Sequence, residues 1–233
     1  SSSNVSIPET ILDKTVSGID SFAFSKNTTI TSVTMPNTVT KVGDSAFADA
    51  TNLLSAKLSE NCTDVGICLF QGCTSLKSVD LNSKITLINA QMFYKCSSIE
   101  SIVIPDTVNK IGNYAFSECS SLKSVYIPSS VTEISRSAFR KTASVTIKGS
   151  YGSYAEEYAK ANNIPFNGIS AYDVGDVNMD GGINILDATL VQKYVAGIVE
   201  LSAEQKHLAD YNNDGDITVV DATEIQKFIV HLN

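Results

Sequence analysis

The chain has 233 residues, 43% hydrophobic and 18% charged, enough to bury a core in one or two domains. No run approaches the ~18–20 apolar residues of a membrane-spanning helix, and 17 Lys and Arg against 25 Asp and Glu leave no basic face for a nucleic acid. The charge is uneven: residues 1–172 hold 14 acids and 14 bases, whereas residues 173–233 hold 11 acids and 3 bases and so carry the whole net charge of −8.

The chain opens SSSNVSIP, with no basic-then-apolar signal segment. A 23-residue period then runs through its first two thirds. Phe24, Phe47, Phe70, Phe93, Phe116 and Phe139 share one register; Ile30, Leu53, Leu76, Ile99 and Leu122 share another. Six apolar positions recur in each full repeat. One repeat has too little core by itself and must bury its apolar face on its neighbours, which predicts a solenoid. The register reaches back to Ile7, Leu12, Val16 and Ile19, so the array is expected to begin in mid-repeat, either because protein lies upstream or because the first layer is itself the cap.

Within a repeat, LKSVYIP (122–128) reads as a short strand, Val125 and Ile127 inward, Ser124 and Tyr126 outward. Pro128 ends it by removing a backbone donor. VTEI (131–134) reads as a second extended piece, after which Phe139 packs into the next layer. The pattern IPxxVxxIGxxAFxxCxSLxSV resembles the leucine-rich repeats of the BspA-like class, over about residues 7–148, with Ser59 and Asn82 in place of the strand-ending Pro and Asn27, Ala50 and Thr142 in place of the Cys. Outward strand positions carry Thr34, Lys57, Asp80, Val103 and Tyr126 beside an unvarying rail of Ser32, Ser55, Ser78, Ser101 and Ser124. A fixed small rail beside a varied column suits a common scaffold with a specific readout, so Lys57, Asp80, Val103 and Tyr126 are the expected ligand contacts of the array. Tyr94, Tyr114 and Tyr126 occupy three different repeat positions and are not expected to form one stripe.

Five cysteines is an odd number, and Cys73, Cys96 and Cys119 stand one repeat period apart. No His lies in the array, so a zinc site lacks convergent ligands and a Ser-His or Cys-His pair is excluded there. Stacked repeats bring ladder positions within disulfide reach, but parallel side chains fit the bond's geometry badly. The ladder and Cys62 therefore read as buried free thiols acting as small apolar residues, and Cys68, at a variable position, as exposed.

Residues 149–166 break the period. Ser153 with Glu156 suggests a capping box for a helix over 154–161, and the segment resembles the cap that closes BspA-like arrays. Residues 167–172 read as a short linker that allows the parts to reorient.

Residues 176–187, DVNMDGGINILD, have the spacing of a calcium loop. Asp176, Asn178, Asp180, Asn184 and Asp187 fill positions 1, 3, 5, 9 and 12, Gly181 the turn at position 6, and Gly182 position 7. The pattern returns in residues 210–221, DYNNDGDITVVD: Asp210, Asn212, Asp214, Thr218 and Asp221, with Gly215 and Asp216 at positions 6 and 7. Two Ca²⁺ ions are the implied cofactors. Each loop is followed by an apolar-periodic run: Leu190, Val191, Tyr194, Val195 and Ile198 after the first, Ile225, Phe228, Ile229 and Leu232 after the second. Ser202 and Gln205 mark a short connecting helix. No amphipathic helix precedes the first loop and the last ligand is Asp, so each unit is loop then helix, unlike an ordinary EF-hand. Duplicated units of this form resemble the dockerin module, which docks secreted proteins onto cohesin modules of a cellulosome scaffoldin.

That resemblance implies partner reading at loop positions 10 and 11 and seven residues on: Ile185, Leu186, Gln192 and Lys193, mirrored by Val219, Val220, Gln226 and Lys227. The sequence thus leads to a mainly β leucine-rich-repeat solenoid (1–148) with a cap (149–166), a linker (167–172) and a small all-α dockerin (173–233). The expected protein is a secreted, non-catalytic cellulosome subunit whose repeats recognise a protein or surface ligand. The alternatives are an enzyme or enzyme inhibitor, with its active segment upstream or on the repeat face, and a free calcium sensor.

Overall fold

The computed structural model of the protein describes residues 3–82, 84–142 and 144–231. The chain divides into two compact units, residues 1–149 with 153–167, and residues 150–152 with 168–233.

The first unit is a parallel β solenoid. One rail of strands is ordered Ser3–Ser6, Ile30–Thr34, Ser55–Lys57, Ser78–Asp80 and then, as a second sheet, Ser101–Val103, Ser124–Tyr126, Thr146–Ser150, Phe166–Ile169. Pairing follows the 23-residue register, as in Val33 with Ala56 and Ile102 with Val125. A second rail holds the two-residue pieces such as Lys110–Ile111 and Glu133–Ile134, also parallel and in register. Each rail is interrupted once, the first between Ser78–Asp80 and Ser101–Val103 and the second between Asp64–Val65 and Leu87–Ile88; position 82, just after Asp80, has Asn in place of Pro. Asn82 is buried there, donating from Nδ2 to the Ser59 carbonyl at 2.6 Å and to the Cys62 carbonyl at 3.1 Å. Where neighbouring repeats use a glycine N–H to reach the previous repeat, Asn89 instead donates from its side-chain Nδ2 to the Val65 carbonyl. At Gly43 and Gly66 of that register an added Cβ would lie 2.4 Å from a backbone nitrogen of the preceding repeat, so close approach requires glycine at both.

A phenylalanine ladder runs through a core otherwise made mainly of Ile, Val, Leu, Ala and Cys. Successive rings from Phe24 to Phe139 stack with centroids 5.2–5.8 Å apart and planes within 22°. A buried ring of this kind contributes roughly 1.5–3 kcal/mol by area alone. Helix α1 (Tyr154–Ala161) ends the ladder: Tyr158 sits 6.1 Å from Phe139, tilted, and its hydroxyl donates to the Ser135 carbonyl at 3.1 Å. The capping box expected at its start is not formed. Ser153 takes the N-cap position, but its buried Oγ has no hydrogen-bond partner, since the Glu156 N–H donates to the Ser153 carbonyl at 3.0 Å instead, and the Glu156 carboxylate pairs with Lys160 at 2.7 Å.

The cysteines of the described residues are free, and all but Cys68 are buried. They do more than fill space. The thiols of Cys73, Cys96 and Cys119 donate to the carbonyls of Phe47, Phe70 and Phe93 at 3.0–3.1 Å, and Thr142 does the same at its place in the ladder, to Phe116 at 2.7 Å. Thiol and hydroxyl are interchangeable here because both satisfy a buried acceptor. Burial pushes Cys73 and Cys119 up to about 12, Cys62 up to about 11, and Cys96 well above its ordinary value. The thiolate is the reactive form. An alkylating reagent at neutral pH is therefore expected to modify Cys68 alone, and slowly, since burial raises that thiol too. All five should react after denaturation; the check is the mass increment. Because the folded values lie above the unfolded 9.0, thiol burial stabilises fully below that pH, and the array's Tm should fall as pH rises from 9 toward 12.

The second unit packs helix α2 (Ile185–Val195) against helix α4 (Val219–His231), with helix α3 (Ala203–Ala209) between them in sequence. Ser202 and Gln205 form the predicted capping box at α3. The core is small: Val177, Ala188, Val191, Leu201, Ala209, Ala222 and Ile225, with Leu190, Tyr194 and Ile229 packed beside it. The apolar face predicted after the first loop is too long. Val195, the last residue of α2, is 41% exposed, and Ile198 is 70% exposed because Gly197 takes a left-handed φ of 69° and ends the helix before Ile198 can continue its face. Leu232 lies outside the described residues.

Candidate functional site

Each calcium-type loop is organised by its own carboxylates. Asp176 is buried; its Oδ1 accepts the Asp180 N–H at 3.1 Å and its Oδ2 the Gly181 N–H at 2.9 Å. Asp187 is fully buried and accepts the N–H groups of Asn178 and Asn184, both at 2.9 Å. Asn184 caps α2, accepting from Leu186 N–H at 2.9 Å, so positions 9 and 12 form a capping box as well as a potential ligand pair. The second loop repeats the pattern. Asp210 accepts from Asp214 and Gly215, Asp221 from Asn212 and Thr218, and Thr218 Oγ1 from Val220 N–H. Gly181 and Gly215 share a φ of 94°, a conformation that L side chains avoid.

Among the described residues, no loop carboxylate pairs with a Lys or Arg. Nor do three His, Cys, Asp or Glu side chains converge there as a finished metal cage. The donor set nonetheless fits a hard cation: three carboxylates and two amide or hydroxyl oxygens among the ligand positions of each loop, beside a helix N-terminus, and no soft ligand.

The residues at loop positions 10 and 11 point to solvent. Ile185 and Leu186 are 55% and 61% exposed, Val219 and Val220 58% and 49%. Gln192 and Lys193 are exposed on α2; on α4 Gln226 is half-buried and Lys227 exposed. The two stripes are not identical, since Lys227 pairs with Glu224 at 2.7 Å and the position equivalent to Glu224 on α2 is Leu190.

On the array, Asp80 and Val103 line a groove of about 530 Å³ at the interruption of the strand rail, with Asp106 on its edge. Val103 is 68% exposed, Tyr126 half-buried. Lys57 and Asp80 form an ion pair of 3.5 Å. That pair belongs to a set not anticipated from the sequence. Lys41–Asp64, Lys57–Asp80, Glu100–Lys123, Lys110–Glu133 and Glu118–Lys141 each join equivalent positions of adjacent repeats, at 2.6–3.5 Å. Opposite charges at the repeat period were the available signal. Tyr94 and Tyr114, though at different repeat positions, line one cleft, which Tyr126 does not join: Tyr114 falls three positions short of a full period after Tyr94.

A parallel solenoid of 23-residue turns, with a duplicated acidic loop–helix unit in the same chain, defines a leucine-rich-repeat protein bearing a docking module. The model of the BspA type leucine rich repeat region matches six copies over residues 2–102 and 49–159, and the chain belongs to that family. Residues 174–230 match the dockerin type I domain, so the chain carries a dockerin. A dockerin of this type binds calcium and implies a cohesin partner, and both matched modules are non-catalytic. Among solved structures, a leucine rich repeat protein of T. pallidum is similar in fold, with a TM-score of 0.54 and 21% identity over 72% of this chain and 86% of that one. A leucine rich cell surface protein of Faecalibacterium prausnitzii A2-165 is also similar, with a TM-score of 0.50 and 25% identity over 63% of this chain and 48% of that one. Among curated proteins no match is found. No helix among the described residues is long and apolar enough to cross a membrane.

Proposed function

We propose that the protein is a secreted, non-catalytic subunit of a cellulosome-type assembly. Residues 173–233 dock onto a cohesin module of a scaffoldin. Residues 1–148, closed by 149–166 and followed by a linker at 167–172, present a recognition surface to a protein or a cell or plant surface. Two Ca²⁺ ions would be held by Asp176, Asn178, Asp180, Gly182, Asn184 and Asp187, and by Asp210, Asn212, Asp214, Asp216, Thr218 and Asp221. The bound ions supply charge compensation; the chain's own residues set the helix starts that display the partner-reading stripes.

The observation that carries this reading is the coincidence of the two acidic loops with two exposed apolar pairs, Ile185–Leu186 and Val219–Val220, at each helix start. Solvent-facing aliphatic pairs beside a capped helix serve no core, and contiguous apolar exposure marks interaction surfaces. Titration calorimetry of the full chain against a panel of type I cohesins should show one-to-one binding in Ca²⁺ and none in chelator. Binding to none of them in Ca²⁺ would overturn the reading.

For the array, Lys57, Asp80, Val103 and Tyr126 are the proposed ligand contacts. Replacing Lys57, Asp80 and Tyr126 together should remove binding of an array ligand captured from a secretome while leaving Tm almost unchanged, because an exposed ion pair contributes at most ~1 kcal/mol. Normal binding by the triple variant would show that the face is wrongly placed.

A further inference from the structure

Away from the strand face, the solenoid has a wall of tight turns. In each repeat, backbone N–H groups of the turn donate to the turn of the next repeat, as in Gln91 to Asn113, Phe93 to Ala115 and Lys95 to Ser117, at 2.8–3.0 Å. The wall is therefore a hydrogen-bonded scaffold, and its outward residues are free to vary. They change character along the array. Ser45, Ala48 and Asp49, then Cys68, Gln71 and Gly72, are small or lack a ring; the corresponding positions further on bring in Tyr94, Tyr114, Glu118, Arg140 and Lys141. These five, with Gln91 and Ser117, surround a cleft of about 280 Å³.

The contents of the cleft are unequally committed. Glu118 is held by Lys141 at 3.0 Å and by the Tyr94 hydroxyl at 3.5 Å, and these contacts keep its carboxyl below its ordinary range and therefore ionised. Lys95 covers the Tyr94 ring at 5.1 Å. The guanidinium of Arg140, one of only two arginines in the chain, and the ring of Tyr114 have no hydrogen bond, ion pair or ring contact among the described residues.

We propose that this turn-face cleft is a second binding site of the array and that it takes a saccharide carrying a single carboxylate, a uronate. A guanidinium presents parallel N–H donors that match a carboxylate bidentately. An open tyrosine ring offers an apolar face with a polar edge to the C–H surface of a sugar. Gln91 and the ionised Glu118 supply hydrogen-bonding groups for its hydroxyls. Glu118 also sets the charge preference. A densely acidic peptide would place a carboxylate against it, whereas a neutral sugar chain with one uronate places only a hydroxyl there.

The test uses the full chain and three probes by calorimetry: a xylo-oligosaccharide with one glucuronate branch, the unbranched xylo-oligosaccharide, and a glutamate-rich peptide. The branched sugar should bind at least about tenfold more tightly than either other probe. Arg140→Gln and Tyr114→Ala should each weaken it by about tenfold or more, with unchanged Tm, and a Lys57→Ala/Asp80→Ala control should leave it intact. No binding of the branched sugar, equal binding of the unbranched sugar or of the peptide, or normal binding by Arg140→Gln would each overturn the proposal. Cohesin binding is read separately and does not depend on this cleft.

Discussion

In chelator, residues 173–233 are expected to lose their helices while the repeat array stays folded. The reason is the balance of core against charge. Seven buried apolar residues form the core of the second unit, and three of them are alanines. A core of that size does not by itself offset the conformational entropy of some sixty residues, which for small domains leaves stability near zero without a staple. Against it stand seven loop aspartates, of which Asp176, Asp187 and Asp221 are buried and held by backbone N–H groups and, at Asp221, the Thr218 hydroxyl, with no cation beside them among the described residues. Each calcium bound at a hundred times its Kd adds about 2.7 kcal/mol. Two such increments approach the whole stability of a small domain, roughly 5 kcal/mol at the low end. The array has no such dependence, since its phenylalanine ladder runs unbroken from Phe24 to Phe139.

Chelation should therefore abolish most of the far-ultraviolet helix signal, because three of the four helices among the described residues belong to the second unit. Amide exchange in α2 and α4 should become fast while the strand rails remain protected. Slow exchange in α2 and α4 with chelator present would show that the core suffices without metal. A free calcium sensor behaves differently again, keeping its helices and exposing a groove reversibly.

Much of this is legible in the sequence because repetition multiplies weak signals. One Phe at one position says little; six at a 23-residue period define a ladder. The same holds for two acidic loops at matched offset. The departures are local and depend on side-chain choice. Ser153 and Glu156 satisfy the capping-box pattern, yet the Ser153 hydroxyl accepts no backbone N–H because that N–H goes to the Ser153 carbonyl. Ile198 continues the helical period in sequence, but Gly197 leaves the helix first. In sequence the ladder thiols look like apolar filler, and only the positions of the Phe47, Phe70 and Phe93 carbonyls reveal them as donors. The cleft of Tyr94 and Tyr114 escapes a comparison of columns at the repeat period alone, because neighbours in adjacent layers also arise one short turn away from that period.

The docking stripes allow a sharper expectation than simple loss of binding. Residues 176–197 and 210–231 match at 10 of 22 positions, and metal ligation does not account for the repeated Gln192–Lys193 and Gln226–Lys227. If either stripe can face the cohesin, with the module turned by about half a revolution, the observed association constant is the sum over both orientations. Two equal modes differ from one by a factor of two, about 0.4 kcal/mol. Leu186→Asp with Lys193→Ala, or Val220→Asp with Lys227→Ala, should each therefore weaken cohesin binding only slightly. All four positions are exposed, and an acidic residue in the first turn of a helix is favourable there, so folding is spared. The stripes also differ in a way that sets the order of the effects. Lys227 must leave Glu224 before it can serve a partner, whereas Lys193 has no ion pair among the described residues. An exposed pair of this kind is worth at most ~1 kcal/mol, about fivefold in affinity. The orientation that uses Ile185, Leu186, Gln192 and Lys193 is thus expected to be the stronger, and its double variant to lose more. Combining all four substitutions places a charge in both apolar pairs at once and should cost about 4 kcal/mol or more, a thousandfold. Calorimetry in saturating Ca²⁺ separates the cases. A near-complete loss from one double variant, with no effect from the other, would establish a single docking orientation.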